Sequence, residues 1–81
     1  MLNPEKLIKE LTLKEKIQIF PNPSNKYLNF SQKSNFTIFD MFFREVMNGE
    51  NSDFISIERL NRGTYFIRIS DTDQIVKLIK I

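Results

Sequence analysis

The sequence predicts an all-β domain: a seven-stranded antiparallel immunoglobulin-like β-sandwich with a short N-terminal helix or arm. From Lys16 onward, short runs rich in Ile, Phe, Tyr and Val alternate with clusters of Asn, Ser, Asp and Gly, as in strands joined by turns. The runs recur roughly every 8–12 residues, a spacing typical of an antiparallel sandwich. Most of them alternate apolar and polar residues, as strands with one buried face do. The length of 81 residues allows one small domain.

The first fifteen residues have a different texture. Asn3 is a good helix N-cap, and Pro4 suits the first helical position because its missing N–H costs nothing there. We therefore predict a helical arm or linker over residues 1–15 and the sandwich over residues 16–81. The apolar residues of the arm that share one side at helical spacing are Leu7, Ile8 and Leu11.

Seven strands are predicted within the sandwich. Polar turns at Ser31–Asn35 and Asn48–Asn51 separate some of them. The third strand is apolar on both faces, which places it centrally. The residues of the sixth strand predicted to face inward are Tyr65, Ile67 and Ile69. The strands are Lys16–Phe20, Tyr27–Phe30, Phe36–Phe42, Arg44–Met47, Phe54–Glu58, Thr64–Ser70 and Gln74–Ile81.

The composition argues against most chemical functions. Without Cys there is no disulfide or thiolate site, and without His the commonest general base and zinc ligand are missing. Ser and Thr are present, but no His can activate them, so the sequence predicts no enzyme and no cofactor. No run approaches ~18 apolar residues, so no membrane insertion is expected. Residues 1–15 hold no continuous apolar region, so no secretory signal peptide is expected in this chain.

Three weaker patterns in the sequence concern other ligands. Asp71-x-Asp73 offers two carboxylates, far short of the 6–8 oxygen ligands that calcium takes. Asn29-Phe-Ser and Asn35-Phe-Thr fit the glycosylation pattern, but such matches arise by chance in a sequence rich in Asn, Ser and Thr. Eight Phe residues suggest base stacking. That function needs a basic groove, whereas the net charge is only +2 and the bases are interleaved with acids, so no nucleic acid partner is expected.

Five short motifs follow one another along the chain, and together they resemble a known family. That family is the C-terminal sorting domain of type IX secretion system cargo proteins, in the type A form found in Bacteroidetes. No single motif is specific, but the five occur in the family's order and spacing over about Lys16 to Ile81. The motifs are Ile19-Phe20-Pro21-Asn22-Pro23, Ile38-Phe39-Asp40, Arg44-Glu45-Val46, Leu60-Asn61-Arg62-Gly63-Thr64-Tyr65-Phe66-Ile67-Arg68-Ile69 and Lys77-Leu78-Ile79-Lys80-Ile81.

The resemblance implies a secretion signal rather than an enzyme. Such a domain is recognised in the periplasm by the outer-membrane translocon and directs the attached upstream cargo to the cell surface or the extracellular space. A sortase-like peptidase then removes it and can join the cargo to surface lipopolysaccharide. Since family members end long secreted proteins, the chain is expected to be a piece of one. Two alternatives stay open: a structural or adhesive sandwich with no targeting role, and self-association through the last strand or the arm.

Seven residues are candidates for recognition, each with a structural alternative: Pro21, Asn22, Pro23, Gly63, Tyr65, Lys77 and Lys80. The prolines also suit a rigid turn that ends a strand. Gly63 also suits a positive φ, and Tyr65 a core position with its hydroxyl at the edge. Lys77 and Lys80 can meet acidic groups on a receptor or protect a strand edge. Because the last strand ends at the terminus, its outer edge is expected to offer unpaired groups for strand addition.

Overall fold

The described part of the chain forms five β-strands. The computed structural model describes residues 16–70 and 72–81, so the arm predicted for residues 1–15 lies outside the described residues. The all-β class is confirmed, whereas the predicted number of seven strands is wrong and the immunoglobulin-like sandwich stays a prediction. The strands are β1 (Ile19–Phe20), β2 (Tyr27–Phe39), β3 (Glu45–Ser56), β4 (Gly63–Ile69) and β5 (Gln74–Lys80).

The strands form one curled antiparallel sheet in the order β1-β2-β4-β5, with β3 also paired to β2. β2 is the central strand. It pairs with β1 at Asn29 and Phe30, with β4 over Phe36–Phe39, and with β3 along most of its length. β5 pairs with β4 over seven residues, from Gly63↔Lys80 to Ile69↔Gln74. Across the described residues, no helix is long and apolar enough to cross a membrane.

Two predicted turns turn out to be parts of strands. Ser31–Asn35 lies inside β2 and Asn48–Asn51 lies inside β3, so two pairs of predicted strands merge. The β2–β3 register shifts on either side of Ser34, and Asn51 has a positive φ of 49°. Bulged residues take up such conformations without ending a strand. The polar residues that predicted turns therefore mark irregular points in two long strands.

The rings of Phe30 and Phe36 show how sharply β2 bends. Six residues of a straight strand span about 20 Å. The two ring centroids nevertheless lie 5.4 Å apart. Ser34, between them, is buried, and its hydroxyl donates to the carbonyl of Gln32 at 2.9 Å. β2 is therefore bent at this point, and residues from both of its halves contribute to one core.

Gly49 gives the Phe36 ring the room that this bend requires. The two residues are partners in the β2–β3 register. A Cβ atom at Gly49 would lie 2.5 Å from Cε1 of Phe36, closer than real Cβ contacts allow. A glycine is needed here because of this close approach, rather than to make the turn that the sequence predicted.

The core lies on the concave side of the sheet. Burying a large aliphatic side chain completely contributes about 1.5–3 kcal/mol relative to exposing it. Ile67 and Ile69 are fully buried and Tyr65 is 8% exposed, which confirms the inward face predicted for this strand. The buried apolar residues are Ile17, Leu28, Phe30, Phe36, Ile38, Ile57, Leu60, Tyr65, Ile67, Ile69 and Leu78.

Candidate recognition surface

The segment that follows β1 runs along the outer edge of β5. The backbone N–H of Ser24 donates to the carbonyl of Ile79 at 3.0 Å, and the N–H of Ile81 donates to the carbonyl of Ser24 at 2.9 Å. Ser24 and Lys80 form a parallel bridge. The segment thus pairs with β2 through β1 and with β5 through Ser24, and it links the two ends of the curled sheet.

Two side-chain amides extend this pairing by imitating backbone peptide groups. Asn22 donates from Nδ2 to the carbonyl of Lys77 at 2.7 Å and accepts the N–H of Ile79 on Oδ1 at 3.1 Å. Gln74 accepts the N–H of Ile17 on Oε1 at 2.8 Å and donates from Nε2 to the carbonyl of Ile17 at 2.8 Å. Each amide satisfies one donor and one acceptor, as a neighbouring strand would.

The open strand edge predicted over Lys77–Ile81 is therefore wrong. The carbonyl of Lys77, both backbone groups of Ile79 and the N–H of Ile81 are all hydrogen-bonded to Asn22 or Ser24. The sequence pattern indicated only that the proline motif ends a strand. It carried no signal for pairing between residues more than fifty positions apart.

The proline motif and the C-terminus share one exposed surface. β1 ends at Phe20, as the motif predicted, and the Phe20–Pro21 and Asn22–Pro23 peptide bonds are cis. Both prolines are exposed. A cavity of about 390 Å³ lies beside them, and its lining includes Pro21, Pro23, Tyr27, Phe54 and Ile81. We call Pro21, Asn22, Pro23, Lys77 and Ile81 the terminal surface.

The two candidate lysines of β5 have different environments. Lys77 is exposed, whereas Lys80 is 9% exposed and lies opposite Gly63. Alternation along the strand gives them opposite faces, with Lys80 on the same face as the fully buried Leu78. Lys77 is consequently the lysine of β5 that remains open to a partner.

Gly63 and Tyr65 have clear structural roles at the start of β4. Gly63 has a φ of 152°, which L-residues rarely adopt, so the expected positive φ is confirmed. The ring of Tyr65 lies in the core, and its hydroxyl donates to the carbonyl of Asn61 at 2.8 Å. This bond anchors the loop before β4 to the strand.

Asp40 organises the tight turn between β2 and β3. Its Oδ1 accepts the N–H of Phe42 at 2.8 Å and the N–H of Arg44 at 3.0 Å, while its Oδ2 accepts Nε of Arg44 at 2.8 Å. Its backbone N–H donates to the carbonyl of Arg44 at 2.9 Å. Hydrogen bonding from the Arg44 backbone, followed by that from Phe42 and the Arg44 guanidinium, lowers the pKa of Asp40 below its ordinary 3.8, against a smaller opposing effect of burial.

A comparison with protein families matches residues 18–81 to the secretion system C-terminal sorting domain. The chain belongs to this family. The match confirms the resemblance, and the sorting domain is a C-terminal signal for type IX secretion. Searches of curated proteins and of solved structures found no significant match.

Two motifs of the sorting domain acquire a physical explanation. Asp40 of the Ile38-Phe39-Asp40 motif and Arg44 of the following motif form the ion pair that fixes the β2–β3 turn. The Pro-Asn-Pro run and the final strand come together through Asn22. Both are therefore contacts inside the sorting domain, in addition to whatever they present to a partner.

Sequence reasoning missed several residues that shape the sorting domain. Gln74 and Ser24 were not singled out, although both hold the N-terminal segment on β5. An amide or hydroxyl at a strand end has no distinctive pattern, so no sequence signal could have found them. The exposed aromatic pair Phe42 and Phe43 was assigned to a central strand and its end, whereas both lie in the turn.

The calcium pattern gains no support in the sorting domain. Asp71 lies outside the described residues, and Asp73 forms an ion pair with Arg68 at 2.9 Å. Over residues 16–70 and 72–81, no group of three or more metal-ligating side chains comes together.

Proposed function

We propose that this sorting domain carries its attached protein across the outer membrane because the type IX translocon reads the terminal surface. One observation supports this most directly: the two bonds of Asn22 to Lys77 and Ile79 hold both ends of the domain together. A partner that binds this surface contacts the N-terminal motif and the C-terminus together, and it can do so only when the domain is folded. An unfolded or truncated domain would not present this surface.

The chemistry of the terminal surface suits a protein partner. Pro21, Pro23 and Ile81 present apolar groups beside a cavity whose lining includes Lys26. The exposed Lys77, whose backbone carbonyl accepts the Asn22 amide, adds a second positive charge on the neighbouring strand. Interface cores are apolar, while charges at the rim steer association and set specificity. The partner that fits is an apolar site with a carboxylate placed to meet Lys77.

The remaining steps of the proposed route belong to other proteins. The domain passes through the periplasm with its cargo, and a sortase-like peptidase then cleaves upstream of Lys16 and releases the cargo to the cell surface or the exterior. The chain contributes no catalysis of its own, since it has neither His nor Cys. It takes no cofactor, binds no nucleic acid and inserts no segment into the membrane.

A transplant tests the proposed function. The whole 81-residue chain is fused to the C-terminus of a fluorescent protein that carries a signal peptide, in a bacterium with a type IX system. Fluorescence outside the cell for this fusion, and in the periplasm for the reporter alone, is the expected result. If the folded fusion stays in the periplasm while a native sorting domain exports the same reporter, the domain is a structural or adhesive module instead.

Truncating Lys77–Ile81 would be a poor control for this experiment. The deletion removes Leu78, which is fully buried in the core. It also removes the backbone groups that Asn22 and Ser24 bind. Loss of export would then report unfolding, so single substitutions of exposed residues are preferable.

A further inference from the structure

The segment over residues 17–24 closes the curled sheet, and we call it the latch. On one side it pairs with β2 through the two residues of β1. On the other side it meets β5 through the Gln74 amide, the Asn22 amide and the backbone of Ser24. The latch therefore joins β2 and β5, which are separated by β4 in the sheet order.

Burial within the latch is concentrated at its two ends. Ile17 is 4% exposed and Ser24 is 3% exposed, whereas Phe20 and both prolines are exposed to solvent. Segments with few buried apolar side chains and with solvent-exposed hydrogen bonds open most readily. β4, by contrast, pairs with β2 on one side and with β5 over seven residues on the other. The latch is consequently held less firmly than the centre of the sheet.

Two prolines make the middle of the latch stiff and poor in backbone donors. Pro21 and Pro23 each fix their own φ, restrict the residue before them and lack an N–H. The Asn22 side chain supplies a donor to the carbonyl of Lys77 and an acceptor to the N–H of Ile79. Because a stiff segment moves as a body, loss of the contact at one end of the latch displaces the other end as well.

We propose that the latch opens and closes as one cooperative unit while β2–β5 stay folded, and that it thereby acts as a switch for the terminal surface. Opening separates Asn22 from Lys77 and takes the Pro-Asn-Pro run away from the C-terminus. A partner that binds the terminal surface binds only the closed latch, and it shifts the population towards that state. This consequence for recognition rests on the proposed function, whereas the cooperative opening does not.

Native-state amide hydrogen exchange of the full chain at increasing urea concentrations tests the proposal. The N–H groups that report the latch contacts belong to Ile17, Ser24, Ile79 and Ile81. They should share one protection factor, at least about tenfold lower than those of the hydrogen-bonded β4 amides. Their exchange should also depend only weakly on urea, because opening the latch exposes little surface.

The variant Gln74→Ala distinguishes a cooperative latch from separate contacts. It removes the two bonds to Ile17, whereas Ile79 and Ile81 lie near the other end of β5. A cooperative latch predicts that protection falls at all three residues by about tenfold, equivalent to about 1.4 kcal/mol. Gln32→Ala, the same change at an exposed position of β2, should leave the protection of all three unchanged.

A second readout does not require the Gln74 variant to fold. Because the chain has no Cys, a single Ile17→Cys substitution reports opening through the rate at which a thiol reagent labels it. Ile67→Cys, at a fully buried position of β4, is the matched control. The thiol at position 17 should react at least about tenfold faster than the thiol at position 67.

Three results would overturn the proposal. Latch amides that are protected as strongly as the β4 amides, with the same dependence on urea, would mean that the domain opens only as a whole. Gln74→Ala that changes the exchange of Ile17 alone would mean that the contacts break separately. Equal labelling of the two thiols would contradict the early opening. Export in the transplant is a separate readout, so failure here leaves the proposed function standing, and failure of export leaves the latch standing.

Discussion

The side-chain amide of Asn22 donates a hydrogen bond of 2.7 Å to the carbonyl of Lys77, which lies 55 residues further along the chain. The same amide accepts the N–H of Ile79, so one side chain occupies the place that a neighbouring strand would take on β5. The Pro-Asn-Pro motif is thereby part of the sheet. If the translocon reads this surface as proposed, it reads the C-terminal strand and the N-terminal motif together.

Replacing Asn22 should loosen the edge of β5. Asn22→Ala removes two hydrogen bonds, and we expect a loss of about 1–2 kcal/mol in the free energy of unfolding, measured by urea denaturation. Amide hydrogen exchange should accelerate most at Ile79, whose N–H loses its partner. Asn25→Ala, the same change at an exposed neighbour, should alter stability by less than about 0.5 kcal/mol. Equal exchange at Ile79 in both variants would contradict the role of Asn22.

Replacing Gly49 should destabilise the fold even when the new side chain is only a methyl group. Gly49→Ala places a Cβ against the Phe36 ring, and we expect a loss of about 1–3 kcal/mol in thermodynamic stability. Combining it with Phe36→Leu, which removes the ring atoms that collide, should recover part of the loss. A double-mutant cycle would show a coupling of at least about 0.5 kcal/mol. Strictly additive effects would mean that the close contact is not the cause.

The hydroxyl of Tyr65 should matter for stability and not for export. Tyr65→Phe keeps the buried ring and removes the bond to the carbonyl of Asn61, with an expected loss of about 0.5–1.5 kcal/mol. The reporter fusion with this variant should still be exported, since the hydroxyl is used inside the domain. A folded Tyr65→Phe fusion retained in the periplasm would instead assign the hydroxyl to recognition.

The all-β class, the inward face of β4 and the family followed from the sequence because they depend on local alternation and on short motifs. Tyr65, Ile67 and Ile69 are buried as their period of two predicted. The number of strands did not follow, because Asn and Ser occur both at bulges within a strand and at turns between strands. The sequence alone does not distinguish these two positions. The bend of β2, visible where the Phe30 and Phe36 rings meet, has no local signature.

The candidate site was only partly predictable for a similar reason. The sequence named Asn22 and Lys77 as separate candidates, and their pairing depends on how the curled sheet closes. It treated Lys77 and Lys80 alike, although alternation within β5 exposes one and buries the other. The exposure of Phe42 and Phe43 in the β2–β3 turn was missed because aromatic runs favour a strand over a turn.

The free energy of unfolding should depend on pH through Asp40. Because its native pKa is depressed, its charged form stabilises the fold above the ordinary value of 3.8, and this contribution is lost as the pH falls through the native pKa. Asp40→Asn should therefore be less stable than the parent at neutral pH, with a difference that narrows in acid. Urea denaturation at several pH values measures this, with Asp53→Asn at an exposed position of β3 as the control. A difference that is constant with pH would exclude Asp40 as the titrating group.

The most direct test of the account compares two lysines in the export assay. Lys77→Glu reverses a charge on the terminal surface, whereas Lys33→Glu makes the same change at an exposed position in the bend of β2. Circular dichroism should show that both variants of the full chain fold. The Lys77→Glu fusion is expected to accumulate in the periplasm, whereas the Lys33→Glu fusion should be exported like the parent. Equal export of both folded fusions would contradict the claim that the translocon reads the terminal surface.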